Sequence, residues 1–239
     1  MERKSEGMTP ALDSTDFAPR LDTSIHLVRG VISSAGCGVP AAVLNDATLA
    51  AWVRAHGVTV IAHDGGELEL SRNSGIRPAQ IVFRCGMVTD SIHRAVSLGV
   101  SRFTVCTEQQ IVHLGRCTQR TKYVYLDDRS PLVIGDRHLK VVGLHGDVDD
   151  TGGAVEWASV VERLLCRTAL LKTCGSPVKR IMLSGGSTEL WLNSPASRLT
   201  SIVRAVDDAL RDGCERWQLP RPAVTFAPLM VGDTMAVAA

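Results

Sequence analysis

From residue 40 to residue 70 the chain reads PAAVLNDATLAAWVRAHGVTVIAHDGGELEL. An apolar run, a polar break at Asn45 and Asp46, a stretch with apolar spacing near 3.6, a stop at Gly57 and a second apolar run follow one another. That order predicts a strand, a helix and a strand. Variants of the unit recur to the C-terminus, with strands predicted at 41–44, 59–62, 81–83, 103–106, 123–126, 140–144, 181–183 and 223–226. Helical spacing falls between them at 47–56, 66–73, 90–98, 108–114, 155–171 and 199–217. In the last of these Leu199, Ile202, Val203, Val206 and Leu210 share one face, the pattern of a helix lying on a sheet. Gly57, Gly75 and Gly99 each stand just before a strand, where a helix end commonly needs a positive φ.

Ahead of this repeat, Ile25, Leu27, Val28, Val31 and Ile32 form a helical stripe beginning at Asp22 and closing near Gly36 and Gly38. Residues 1–21 are polar, contain Pro10 and Pro19, and read as a loose arm before a domain spanning 22–239. Eight strands alternating with helices predict a (β/α)8 TIM-type barrel, with an open doubly wound sheet as the second architecture. The fifth unit is short: DDRSPLVIGDRH, between residues 126 and 139, leaves room for a loop and not for a full helix.

Composition narrows the functional classes. The 239 residues are 45% hydrophobic, enough for a large core, and the formal net charge is +1. Balanced charge and only 4% aromatic residues argue against a nucleic-acid groove or a polybasic membrane patch. Seven cysteines occur with no C-x-x-C pair, and several lie in apolar runs. No apolar leader and no run long enough to span a bilayer is present, so a reducing cytoplasm is the compartment expected.

In a barrel, working residues sit where strands give way to loops. Those ends read Asn45-Asp46, His63-Asp64, Arg84-Cys85, Thr107, Asp127-Asp128, His145-Gly146-Asp147, Ser184-Gly185-Gly186-Ser187 and Pro228, an acidic and polar mouth. Gly185, Gly186 and Ser187 form a turn in which glycines admit close backbone approach, and N–H groups with a hydroxyl suit a phosphate. An ordinary βα turn has the same composition. His145, Asp147 and Asp149 alternate, so continued strand geometry would place them on one face as ligands for a hard divalent ion. Asp149 also stands where a helix N-cap is wanted. No G-x-S-x-G elbow, P-loop or G-x-G-x-x-G motif occurs.

The order of these motifs resembles the N-terminal barrel of the fold-type III pyridoxal-phosphate decarboxylases, the diaminopimelate, ornithine and arginine decarboxylase group with its alanine racemase-like barrel. GVTVIAHDGGELELSRNSGIRPAQIVF is similar to that family's "G-x-x-x-x-x-x-S-x-x-E-L-x-x-x-x-x-x-G-x-x-P-x-x-I-x-F" segment, and GVSRFTVCTEQQIVHL to the strand and helix after it. VVGLHGDVDD resembles the strand ending in "G-L-H-x-H-x-G-S", IMLSGGS the phosphate turn "D-x-G-G-G", and VTFAPLMVGD stands at the place of "E-P-G-R". The resemblance covers about residues 22–235.

It implies pyridoxal phosphate as cofactor, held by Gly185, Gly186, Ser187 and His145. It also implies that the residues of the chemistry are changed. The Schiff-base lysine at the end of the first strand would fall at Ala42, the ring-stacking histidine at Asp147, and the following Gly-Ser at Asp149 and Asp150. The acid facing the pyridine nitrogen would fall at Ala227, and its neighbouring glycine and arginine at Leu229 and Met230. The β-domain that follows the barrel in that family is not expected after Ala239. Three functional expectations follow: a barrel unable to decarboxylate, with a binding or regulatory role; a working carboxy-lyase whose lysine is displaced; or a metal-dependent site at the acidic mouth. A small-molecule or phosphate ligand, a protein partner or a homo-oligomer fits the first.

Overall fold

The computed structural model describes residues 17–131, 136–186, 190–191 and 196–228. Eight parallel strands close into a barrel in sequence order, β1 pairing with β8. They are β1 (Gly36–Pro40), β2 (Thr59–Ala62), β3 (Ile81–Arg84), β4 (Arg102–Val105), β5 (Lys122–Asp127), β6 (Leu139–Val148), β7 (Arg180–Gly185) and β8 (Ala223–Ala227). The helices are α1 (Phe17–Val31), α2 (Ala47–His56), α3 (Gly65–Asn73), α4 (Thr89–Ser97), α5 (Glu108–Cys117), α6 (Ala154–Thr173) and α7 (Ala196–Arg216). Among the described residues no helix is long and apolar enough to cross a membrane.

Local chemistry explains the element boundaries. Asp46 caps α2 by accepting from the Thr48 and Leu49 amides, and Gly57 ends it at φ 64° in the left-handed region. Asp64 caps α3 through the Glu67 amide. Thr107 and Gln110 form a reciprocal capping box on α5. Between β5 and β6 the described residues contain no helix, as the short spacing predicts.

Two boundaries differ from the sequence expectation. The first strand is Gly36–Pro40, and the segment expected to be a strand, Ala41–Asn45, is a 3₁₀ turn. Two glycines and a proline carry no strand signal, yet Val39 pairs with Val60 and Cys37 with Phe226 inside the barrel wall, where tertiary pairing overrides propensity. The N-terminal helix begins at Phe17, ahead of the expected Asp22, and residues 1–16 lie outside the described residues.

Strand alternation sorts the side chains into two sets. Val60, Phe83, Phe103, Leu126, Leu144, Leu183 and Phe226 face the helices and join the main core. Ile61, Val82, Tyr125 and Met182 point inward and fill the barrel interior as a separate layer, and Ala227, packed with them, pairs with Ser184 at the end of β8. The inward positions above that layer, at the C-terminal ends of the strands, form the mouth.

Candidate functional site at the barrel mouth

The inward residues at the strand ends are Arg84 on β3, Asp127 on β5, His145 and Asp147 on β6, and Ser184 on β7. Parallel register brings them together, because Asp127 pairs with His145 and Asp147 with Ser184. Cys106, one residue past β4, continues the inward series of Arg102 and Thr104.

His145 is the hub. It is 1% exposed, with Asp127 at 5% and Ser184 at 3%, so each must find its partners within the protein. His145 Nδ1 lies 3.1 Å from Asp127 Oδ2 and Nε2 lies 3.0 Å from Ser184 Oγ. Nε2 is also 3.6 Å from Asp147 Oδ1. Arg84 in turn holds both oxygens of Asp147 in a bidentate pair, one contact at 2.8 Å.

The electrostatics follow from this arrangement. Burial pushes the Asp127 carboxyl up, but the hydrogen bond and charge of His145, the Arg129 amide and Arg84 outweigh it and hold the group down at about 2. Asp127 is therefore an acceptor at neutral pH, and the proton of the pair sits on Nδ1 of His145. Burial works against the charge of Arg84, and Asp147 more than offsets it. Burial, reinforced by Asp127, raises the Cys106 thiol to about 12, so Cys106 is a protonated, unreactive neighbour.

The residues singled out in the sequence are dispersed differently than expected. His145 and Asp147 belong to the cluster, but Asp149 does not: it caps the turn at Asp150–Gly152 through the Thr151 amide. Asp150 accepts from Trp157 Nε1 at 2.8 Å and from Arg198 at 2.7 Å, which ties that turn to α6 and α7. Asp127 takes the place expected for Asp149. Asp127, His145 and Asp147 offer one donor atom each within 4.8 Å of one another. In this structure those donors hydrogen-bond or ion-pair with one another, Ser184 and Arg84.

Gly185 faces outward, where an added Cβ would meet Val148 at 2.6 Å and the Trp157 ring at 3.0 Å. Gly186 adopts φ 71°, and an added Cβ there would overlap the Leu190 side chain. Both glycines thus accommodate the protein's own side chains. Ser187, Leu229 and Met230 lie outside the described residues. Ala42 sits in the 3₁₀ turn just past β1, at the mouth but not on the strand.

Lys122, Lys140 and Lys179 stand at or just before the starts of β5, β6 and β7, and Lys172 lies in the last turn of α6, all at the end of the barrel away from the mouth. Ala42 has no amine, His145 has both nitrogens engaged, and Ala227 is apolar and buried. These residues do not fit pyridoxal phosphate held as an imine.

The contributions of Asp127, Ser184 and Arg84 were open to sequence reading only as strand-end residues. Their union needed the barrel register.

No protein-family model matches the sequence, and no curated protein is similar to it in sequence. Solved structures do match in fold. The chain aligns with the diaminopimelate decarboxylase of M. jannaschii, solved with L-lysine, at 11% identity and a TM-score of 0.73, covering 88% of this chain and 59% of that one. The Helicobacter pylori diaminopimelate decarboxylase, also complexed with L-lysine, matches at 11% identity and TM-score 0.69, over 88% and 61% of the two chains. Lysine decarboxylase from Selenomonas ruminantium matches at 13% and 0.68, over 88% and 60%. The chain spans about 60% of the length of these proteins, and the similarity lies in their barrel part. The chain has the fold of the barrel part of these decarboxylases.

Proposed function

We propose that this chain is a decarboxylase-type barrel that binds a small polar molecule at its mouth and does not decarboxylate amino acids through an imine. One observation supports the reading: Ala42 stands where the resemblance places the imine-forming lysine, and Lys122, Lys140, Lys172 and Lys179 lie at the opposite end of the barrel, Lys4 being outside the described residues. Pyridoxal-phosphate decarboxylation begins with an amine of the protein bonded to the cofactor carbonyl. Alanine supplies none.

The polar side of the mouth supports a retained binding role. The inward residues there carry hydrogen-bonding or ionisable groups, and the half-exposed Arg84–Asp147 pair offers both signs of charge to a ligand. A barrel that had lost all use for its mouth would be more stable with apolar groups in place of the buried ionic set.

The test is to incubate the full chain with pyridoxal phosphate, record the visible absorbance, reduce with borohydride and map adducts by mass spectrometry. No stoichiometric lysine adduct and no carbon dioxide release from diaminopimelate, lysine, ornithine or arginine is expected. A single trapped lysine, or turnover of any of these amino acids, overturns the reading.

A further inference from the structure

We propose that Ser184 and His145 form a nucleophile and general base for acyl transfer from a small ester, with Asp127 as the residue that positions the imidazole. The site is the same mouth, and its assignment rests on the reading that no cofactor imine forms there.

Three strands supply the three groups, in the order carboxylate, imidazole, hydroxyl: β5, β6 and β7. Asp127 accepts the Nδ1 proton at 3.1 Å, which turns Nε2 toward Ser184 Oγ at 3.0 Å, with Asp147 Oδ1 farther off at 3.6 Å. That is the geometry in which imidazole removes a hydroxyl proton and a carboxylate fixes the tautomer. Asp127 is itself held, its Oδ1 accepting from the Arg129 amide at 3.1 Å.

The partner of Ser184 sets it apart from four other buried hydroxyls. Ser71, Thr118, Ser130 and Thr168 all donate to backbone carbonyl oxygens, the usual way such a group is satisfied. Ser184 instead meets a ring nitrogen.

Substrate size follows from the walls. Ser184 pairs with Ala227 on β8, and beyond it β1 presents Gly38, whose added Cβ would lie 3.3 Å from the Ala227 Cβ. The hydroxyl therefore has polar neighbours on one side and the smallest side chains on the other. Ser184 is 3% exposed, so the ester proposed is the smallest, an acetate, and a long acyl chain is excluded.

In the step, the Ser184 Oγ–carbonyl carbon bond forms while the Oγ proton passes to His145 Nε2 and the carbonyl electron pair moves onto oxygen. Collapse breaks the bond from carbon to the leaving alkoxide, which takes the proton from Nε2. Water repeats the sequence, releasing the carboxylic acid and restoring the serine, with no change of oxidation state.

The experiment treats the folded full chain with a fluorophosphonate and follows p-nitrophenyl acetate hydrolysis in parallel. A single adduct on Ser184 is expected, absent in Ser184→Ala, a variant that removes one oxygen and whose fold is checked by near-ultraviolet circular dichroism. His145→Gln slows labelling by about a hundredfold, the lower range for loss of a general base. Asp127→Asn slows it as well and abolishes the low-field Nδ1–H proton resonance, which Ser184→Ala retains. A chelator leaves labelling unchanged.

No Ser184 adduct on the folded protein overturns the proposal, as does equal labelling in Ser184→Ala or hydrolysis that persists there undiminished. Loss of labelling with chelator also overturns it, assigning Nε2 to a metal ion. Borohydride trapping reads the decarboxylase question separately, so the two failures are distinguishable.

Discussion

Around the mouth, β3 to β7 and β8 to β1 present opposite chemistry on one barrel. The first arc carries Arg84, Asp127, His145, Asp147 and Ser184, linked by hydrogen bonds and ion pairs. The second carries Ala227 and Gly38, backbone and methyl groups in close packing. The same strand geometry and depth hold both, so the difference comes from side chains alone. It teaches that this mouth concentrates charge where each charge has a partner, and contracts to minimal side chains where none is offered.

The largest expected effect comes from breaking the polar arc at its hub. His145→Ala leaves Asp127 buried without its partner, and the loss of a buried pair costs about 3 to 5 kcal/mol. Urea denaturation checks this. A loss below about 1 kcal/mol, the scale of an exposed pair, would show that the arc is solvated rather than buried.

Acid sharpens the same point without mutation. The Asp127 carboxyl is held below its ordinary 3.8, at about 2, by His145 against the opposing effect of burial. A depressed carboxyl contributes stability that is complete above the unfolded value and disappears as pH falls through the folded value. Thermal unfolding should therefore weaken between about pH 4 and pH 2, and Asp127→Asn should flatten that dependence. An unchanged profile in the variant would assign the acid sensitivity to other carboxyls.

On the opposite arc the perturbation is steric. Gly38→Val places its Cβ 3.3 Å from Ala227, and overpacking of this kind costs about 1 to 3 kcal/mol. A neutral result by denaturant titration would mean that β1 and β8 can part, and that the small wall is not tightly packed.

The smallest effect is expected at the rim. Ala42→Lys, at a half-buried position in a turn, should change stability by no more than about 0.5 kcal/mol. It should not give a borohydride-trapped imine, because His145, Asp147, Gly185 and Gly186 remain committed to internal partners. A trapped adduct at the substituted position would show that one amine is all the mouth lacks.

The barrel was legible because its cause is local. Spacing of 3.6 in α7, caps at Asp46 and Asp64 and the helix stops at Gly57, Gly75 and Gly99 are written in neighbouring residues. β1 was not, since Gly36, Cys37 and Gly38 have no strand propensity and become a strand by pairing with β2 and β8. The site divides in the same way. His145 and Asp147 are two apart on one strand, so alternation alone put them on one face. Asp127 and Ser184 are 18 and 39 residues from His145, and no spacing rule relates them.

The sequence by itself therefore determined the alternation of strand and helix and the ends of the strands as the place for chemistry. Tertiary structure decided that Asp149 serves a turn while Asp127 joins His145, and that Gly185 and Gly186 make room for Trp157 and Leu190. The physical reason is that periodicity and capping act over a few residues. Barrel register instead sets which distant strand ends face each other, and burial then forces every polar group among them to find a partner.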